Sequence, residues 1–292
     1  MIIDMHVHLG RGAQDWNYQI WRNMLEPYGT PVSVLDIKPD EVVRLMREAG
    51  VDKACLLALD ARAWKTHIPN DYVASVVAQE PDLFIGFASV DPNMGKEAAD
   101  DLAYAYHKLG LRGLKLAPCY QMYHPADPVA FPVYAKAEEL GMPILIHQAW
   151  TRMREAPMKW QHPVLLDDVA LAFPDLRIIL AHIGLPWQVD ALHLAAKHPH
   201  VYVDVSARDV PSYGGGFSAL FNELQMAKTL SILDKVLYGS DYPLAHPPTF
   251  LNQIRHLNDY APASGSTPLT PAEIDLILGG NCERLFRELN IL

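Results

Sequence analysis

The first ten residues, "MIIDMHVHLG" (1–10), alternate apolar side chains with an acid and two histidines. A period of two predicts a β-strand with Ile3, Met5 and Val7 on one face and the polar side chains on the other. Burying an acid and two imidazoles is costly unless they are hydrogen-bonded, paired or bound to a metal. The segment therefore predicts both a strand and a polar cluster that needs a chemical explanation.

Seven further apolar runs follow, and amphipathic helical patterns such as "PDEVVRLMREAG" lie between them. The runs are rich in Val, Ile and Leu, which is typical of strands buried on both faces. Several helical patterns end at a glycine in the position of a helix C-cap. Eight strands alternating with helices predict one α/β domain over residues 1–292, a (β/α)8 TIM barrel. An open doubly wound sheet is the alternative, but no glycine-rich phosphate-binding motif follows any run. The eight runs are 2–8, 53–59, 83–90, 111–117, 143–147, 177–182, 201–206 and 235–241.

Two connections between these runs are unusual. Residues 9–38 form a long first connection that carries Trp16 and Trp21, and we expect it to lie as a loop over the barrel mouth. The stretch "SYGGGF" (212–217) predicts a mobile loop after the seventh strand.

Composition limits the classes of partner. The net charge is −10 and the pI is about 5.7, without a basic run interleaved with aromatics, so neither nucleic acid nor an anionic membrane is an expected partner. No apolar stretch is long enough to span a bilayer, and the N-terminus does not resemble a signal peptide. Three cysteines at patternless spacing favour a reduced, cytoplasmic location.

Polar residues end several of the predicted strands. The C-terminal strand ends of a barrel share one face, where active sites lie. Imidazole and carboxylate are ligands for zinc or another divalent first-row metal, and three histidines with one carboxylate would leave a position for an activated water. A single histidine after a strand is more often structural, but the set as a whole indicates a metal site. The set is His6, His8, Lys115, His147, His182 and Asp241.

The motifs that contain these residues resemble the amidohydrolase superfamily. They are D-x-H-x-H (4–8), "ILIHQ" after the fifth run, "ILAHIG" after the sixth and "YGSDYP" after the eighth. The stretches "GLKLAP", "AFPDLRIILAHIGLPW" and "ILGGNCERLF" are similar to the branch that contains aminocarboxymuconate semialdehyde decarboxylase, resorcylate-type decarboxylases and lactone hydrolases. The resemblance covers nearly the whole chain and implies a homo-oligomer, commonly a dimer.

The resemblance also implies roles for the strand-end residues. His182 would be the acid/base catalyst beside a metal-activated water, and Asp241 would orient or deprotonate that water. The ion would be a single divalent metal, most often zinc, with manganese or another first-row metal as the alternative. Its implied ligands are His6, His8, His147 and Asp241.

The remaining candidates have more than one interpretation. Asp4 either orients a histidine ligand through the free ring nitrogen or closes the barrel by a hydrogen bond. Lys115 forms a carbamate that bridges two metals, forms an ion pair inside the barrel or, as we favour, faces the substrate as a cation. Together with Arg152 and Arg154, it is predicted to bind an anionic small-molecule substrate. The alternative for the two arginines is a solvent-exposed position on the loop after the fifth strand.

Three functions are consistent with this pattern. The first is a metal-dependent hydrolase that acts on a small cyclic or carboxylated compound, such as a lactone or an amide. The second is a non-oxidative decarboxylase of a carboxylated aromatic or muconate-like compound. The third is a non-catalytic metal-binding scaffold. No Ser or Cys lies in a nucleophile-elbow motif, which disfavours covalent catalysis.

Overall fold

The eight predicted apolar runs form the strands of one parallel sheet. Each strand pairs with the next in chain order, and the first and last strands complete the barrel. Across that last junction, the Met5 amide donates to the Tyr238 carbonyl at 3.0 Å and the His8 amide to the Tyr242 carbonyl at 2.8 Å. The predicted TIM barrel is confirmed. The strands are β1 Ile3–His8, β2 Lys53–Leu57, β3 Phe84–Ala88, β4 Gly113–Leu116, β5 Ile144–Ile146, β6 Ile178–Leu180, β7 Val201–Asp204 and β8 Val236–Leu237.

This structure, a computed structural model, describes residues 1–208 and 216–292. Residues 212–215 of the predicted mobile loop lie outside these ranges. Within them, no helix combines the length and the apolar composition needed to cross a membrane.

Helices surround the barrel, and their ends follow local sequence signals. Helix α2 (Pro39–Ala49) begins with Pro39 at its first position and is capped at its C-terminus by Gly50, which has a left-handed φ of 74°. A short antiparallel hairpin, Leu59–Ala61 with Thr66–Ile68, extends beyond β2. The helices are α1 Tyr18–Leu25, α2 Pro39–Ala49, α3 Asn70–Val77, α4 Lys96–His107, α5 Pro118–Gln121, α6 Phe131–Glu139, α7 Asp167–Ala172, α8 Gln188–Lys197, α9 Gly216–Thr229, α10 Pro247–Arg255, α11 Ala261–Ser264, α12 Pro271–Asp275 and α13 Asn281–Glu288.

Strand β1 does not keep two uniform faces. Asp4 pairs with Ala54 and Val7 with Leu56, so β1 has one more residue than β2 between these pairs, which is a β-bulge. Ile3 and Met5 pack in an apolar cluster with side chains of β2 and α13, whereas Val7 packs in a second, larger cluster that includes side chains of α2 and α3. The prediction that Val7 shares a face with Ile3 and Met5 is therefore wrong, because the extra residue inverts the alternation.

Candidate active site

The predicted strand-end residues come together at one end of the barrel. His6 and His8 project from β1, Lys115 from β4, and the others follow directly after β5, β6 and β8. The structure places all six side chains in the lining of one cavity, as the rule for the C-terminal face of a barrel predicts. They are His6, His8, Lys115, His147, His182 and Asp241.

Three of the predicted metal ligands form a compact group. Oδ1 of Asp241 lies 3.3 Å from Nε2 of His6 and 3.2 Å from Nε2 of His8. Desolvation by burial holds the pKa of both histidines well below its ordinary value, and the nearby Lys115 lowers it further. Burial raises the pKa of Asp241, and Lys115 opposes that rise. Two imidazoles in their neutral form and a carboxyl group thus face one point, which is the donor set of a divalent metal.

The fourth predicted ligand, His147, lies beside this group and contacts other residues. Its Nδ1 is 3.2 Å from Nε2 of His182, and its Nε2 is 3.3 Å from the hydroxyl of Tyr120. The Tyr120 ring stacks on the His147 ring with 4.8 Å between centroids. Burial, with a smaller effect of Lys115, lowers the pKa of His147 to about 3. Tyr120 was missed in the sequence, because a tyrosine in a short helix after a strand carries no metal-ligand signal.

Asp204 is a further residue that the sequence reasoning missed. Its Oδ2 accepts from Nδ1 of His6 at 2.9 Å, and its Oδ1 accepts from the backbone amides of His182 at 2.9 Å and Ser206 at 3.0 Å. Ser206 also places its hydroxyl 2.7 Å from Nδ1 of His182. Asp204 therefore orients one predicted ligand and positions the backbone of the predicted acid/base residue. The signal was present, because Asp204 is an acid at the end of β7.

Asp4 helps to close the barrel by hydrogen bonds, which is the second of the two roles predicted for it from the sequence. Its Oδ1 accepts from the backbone amides of His6 at 3.1 Å and Ser240 at 2.9 Å, so it stabilises the bulge and the junction of β1 with β8. Burial raises the pKa of Asp4 to about 7. The ring of His6 is oriented by Asp204, and the interpretation of Asp4 as a partner of that ring is not supported.

Two of these residues have strained backbone conformations. His182 has a φ of 60° and Asp241 a φ of 68°, in the left-handed region. This region costs a residue other than glycine about 1–2 kcal/mol. Such strain is concentrated at functional sites, where the surrounding contacts enforce it.

The predicted substrate-binding cations are separated in space. Lys115 is 2% exposed, and its Nζ lies 3.1 Å from Nε2 of His6. Burial lowers the pKa of Lys115 to about 8. Arg152 and Arg154 are exposed on the segment after β5 and are not among the residues that line the cavity.

The wall above the polar residues is largely apolar and aromatic. The connection 9–38, which contains α1, contributes Trp16, Trp21, Met24 and Leu35 to it. Trp16 meets His8 edge-on, and Trp21 packs edge-on against Trp16 with 4.8 Å between centroids. The cavity thus has a polar floor of candidate metal ligands and an apolar, largely aromatic wall.

An eight-stranded barrel with a buried histidine–aspartate group at its C-terminal mouth defines a barrel enzyme with a candidate metal centre. The family model described as Amidohydrolase matches residues 3–287, and the chain belongs to the amidohydrolase family. The chain is therefore an enzyme, which excludes the non-catalytic scaffold considered above.

Two curated relatives are decarboxylases. The chain is 26% identical over 304 residues to gamma-resorcylate decarboxylase of Rhizobium radiobacter, covering 87% of this chain and 88% of the relative. It is 26% identical over 198 residues to 2-amino-3-carboxymuconate-6-semialdehyde decarboxylase of Dictyostelium discoideum. That second match spans 60% of this chain and about half, 55%, of the relative.

Solved structures share the fold. An uncharacterized TIM-barrel protein of Bordetella bronchiseptica superposes with a TM-score of 0.77 at 23% identity, covering 99% of both chains. A dihydroxybenzoic acid decarboxylase of Polaromonas sp. JS666 was solved with manganese and 2-nitroresorcinol. It has a TM-score of 0.67 at 17% identity, and the match covers 98% of this chain and 96% of the decarboxylase. A probable 2-pyrone-4,6-dicarboxylic acid hydrolase of Acinetobacter baumannii has a TM-score of 0.66 at 18% identity, and the match covers 98% of this chain and 99% of the hydrolase.

Proposed function

We propose that this enzyme is a metal-dependent, non-oxidative decarboxylase of a small carboxylated aromatic compound. The observation that carries the proposal is the floor of the cavity, where His6, His8 and Asp241 converge beside a buried Lys115. The aromatic wall and the decarboxylase names of the curated relatives support the same reaction class. This revises the order of the functions expected from the sequence, in which hydrolysis came first.

The residues on the cavity floor fit a divalent ion. Nε2 of His6 is available as a ligand because Nδ1 of the same ring is bonded to Asp204. We propose His6, His8 and Asp241 as ligands, with His147, which lines the same cavity, as the fourth. Manganese is as good a candidate as zinc, since imidazole and carboxylate bind both metals. Bound there, the ion would act as a Lewis acid toward substrate oxygens.

The protein's own side chains supply orientation and a proton. Lys115, a buried cation at the floor, pairs with the carboxylate that is lost and holds it beside the metal ligands. Cleavage of the bond between ring and carboxyl carbon leaves its electron pair on the ring carbon, which must take a proton as CO2 departs. His182 is the proposed donor. Because burial lowers its pKa, its neutral imidazole must first take up a proton from solvent, and the imidazolium so formed gives that proton readily to the ring carbon.

Hydrolysis of a lactone or an amide is the second candidate. Asp241 favours it, because a carboxylate next to two histidine ligands can accept a proton from an attacking water. The hydrolase among the solved structures is a fold neighbour and adds no residue-level support.

One panel of substrates distinguishes these two reactions. The purified enzyme, loaded separately with Mn²⁺ and Zn²⁺, is offered hydroxybenzoates, lactones and amides, and both CO2 release and acid release are recorded. We expect CO2 from at least one hydroxybenzoate and no acid from the lactones. Acid release without CO2 would favour the hydrolase and contradict the proposal.

A variant pair tests the metal assignment in the same preparation. The double variant His6→Ala/His8→Ala is expected to lose both the ion and CO2 release, because it removes two of the proposed ligands. His193→Ala, an exposed histidine on α8, is the matched control and should retain both. Full metal content in the double variant would contradict the assignment.

A further inference from the structure

The charge distribution of the cavity restricts the substrate beyond its reaction class. We propose that the enzyme selects a ring compound with a single carboxylate and rejects the corresponding dicarboxylates, an inference that rests on the proposed function. It follows from the number of cations in the cavity and from the composition of the wall.

Lys115 is the one Lys or Arg side chain among the described residues that line the cavity. The segment 209–215, "DVPSYGG", contains no Lys or Arg either, so it cannot supply a second cation. Two other arginines of the barrel mouth are already paired with carboxylates. Arg11 bonds Asp15 at 2.7 Å, and Arg208, buried after β7, bonds Glu223 at 2.6 Å.

The positive groups lie at one end of the cavity. Nζ of Lys115 is 3.1 Å from Nε2 of His6, so an ion bound at the histidine–aspartate group would share this end with the ammonium. The surface away from it is formed by side chains without charge, including Trp21, Leu59 and Leu244. A second carboxylate on the ring would face these side chains, lose its hydration and gain no ionic partner.

Binding of three matched ligands to the Mn²⁺-loaded enzyme tests the inference. They are 2-hydroxybenzoate, the same ring with a second carboxylate at position 5, and the same ring with a carboxamide at position 5. Quenching of tryptophan fluorescence in a stopped-flow instrument reports binding before turnover, because Trp16 and Trp21 line the cavity. We expect the dicarboxylate to bind on the order of 100-fold more weakly than the carboxamide, since the two have similar size and differ in charge. A dicarboxylate that binds as tightly as the carboxamide would overturn the inference.

A variant of the wall provides an independent measurement. Leu244 is half-buried, so Leu244→Arg can keep its guanidinium in contact with water while it reaches the cavity. We expect this variant to bind the dicarboxylate about 10-fold more tightly than Leu244→Gln, the neutral control of similar length. Equal affinities in the two variants would count against the inference.

CO2 release is recorded separately from binding. An enzyme that binds these ligands without decarboxylating any hydroxybenzoate would contradict the proposed function and leave the binding ratio interpretable.

Discussion

The variant Asp204→Asn tests how the chain prepares His6 to bind a metal. In the native protein, Oδ1 of Asp204 accepts from the backbone amides of His182 and Ser206, and its Oδ2 accepts from Nδ1 of His6. The two backbone donors require an oxygen at the Oδ1 position, so the amide of the new asparagine cannot flip. Its NH2 group must then face Nδ1 of His6.

That contact reverses the tautomer of the imidazole. Nδ1 becomes an acceptor and the proton moves to Nε2, which no longer offers a lone pair to a metal. Loss of such a ligand-orienting partner costs about 10–100-fold in metal affinity, or about 1.4–2.7 kcal/mol. Because the asparagine forces this tautomer, we expect the loss of metal affinity to lie near the upper end of that range.

Competition with a chelating dye measures the metal dissociation constant of Asp204→Asn. Asp190→Asn is the matched control, because Asp190 makes a surface pair with His162 at 3.4 Å and is 53% exposed. We expect the control to match the parent within a factor of two. An Asp204→Asn protein with the parent's metal affinity would refute the argument from tautomers.

Three further variants probe the Trp16 wall of the cavity, the buried ion pair of Arg208 with Glu223 and the proposed proton donor His182. Gly10→Ala would place a Cβ 1.8 Å from Nε1 of Trp16, so the indole must move, and we expect a loss of about 1–3 kcal/mol in stability and a reduced kcat/KM. Glu223→Gln leaves the buried guanidinium of Arg208 without its charge partner, and urea unfolding should show a loss of about 3–5 kcal/mol. His182→Asn should retain the metal, and its turnover should fall about 10²- to 10⁴-fold in steady-state assays.

Each of these variants has a result that would contradict its reasoning. Gly265→Ala is the control for the first, since Gly265 also has a positive φ but no atom within 4 Å of an added Cβ, and its kcat/KM should not change. Equal effects of the two glycine variants on kcat/KM would exclude a specific role of the Trp16 contact. Unchanged stability of Glu223→Gln would mean that the ion pair is not essential to the fold. Metal loss in His182→Asn would identify His182 as a ligand.

The barrel and the location of the site could be predicted from the sequence because both depend on local patterns. Runs of Val, Ile and Leu mark strands buried on both faces, and the barrel brings their C-terminal ends to one rim. His6, His8 and Asp241 could therefore be grouped without coordinates, although Asp241 is more than 230 residues from the histidines.

The pairing of individual atoms could not be predicted in this way. The contact of His6 with Asp204 joins residues 198 positions apart, and it depends on which strand-end acid lies nearest one ring nitrogen. The bulge in β1 depends on its register with β2, which no period in the β1 sequence reveals. The contact of Tyr120 with His147 arises because α5, which follows β4, brings Tyr120 beside the residue that follows β5. The exposed positions of Arg152 and Arg154 follow from the path of the segment after β5, which lacks a periodic pattern.

The central claim is that this enzyme removes CO2 from a ring carbon and replaces it with a proton. Turnover of the substrate identified in the panel is followed by mass spectrometry in D2O and, separately, in H2¹⁸O. Decarboxylation predicts one deuterium on the ring carbon that carried the carboxylate and no ¹⁸O in the ring product, because CO2 leaves and His182 delivers a solvent-derived proton. A product with one ¹⁸O and no carbon-bound deuterium would contradict the claim and establish hydrolysis.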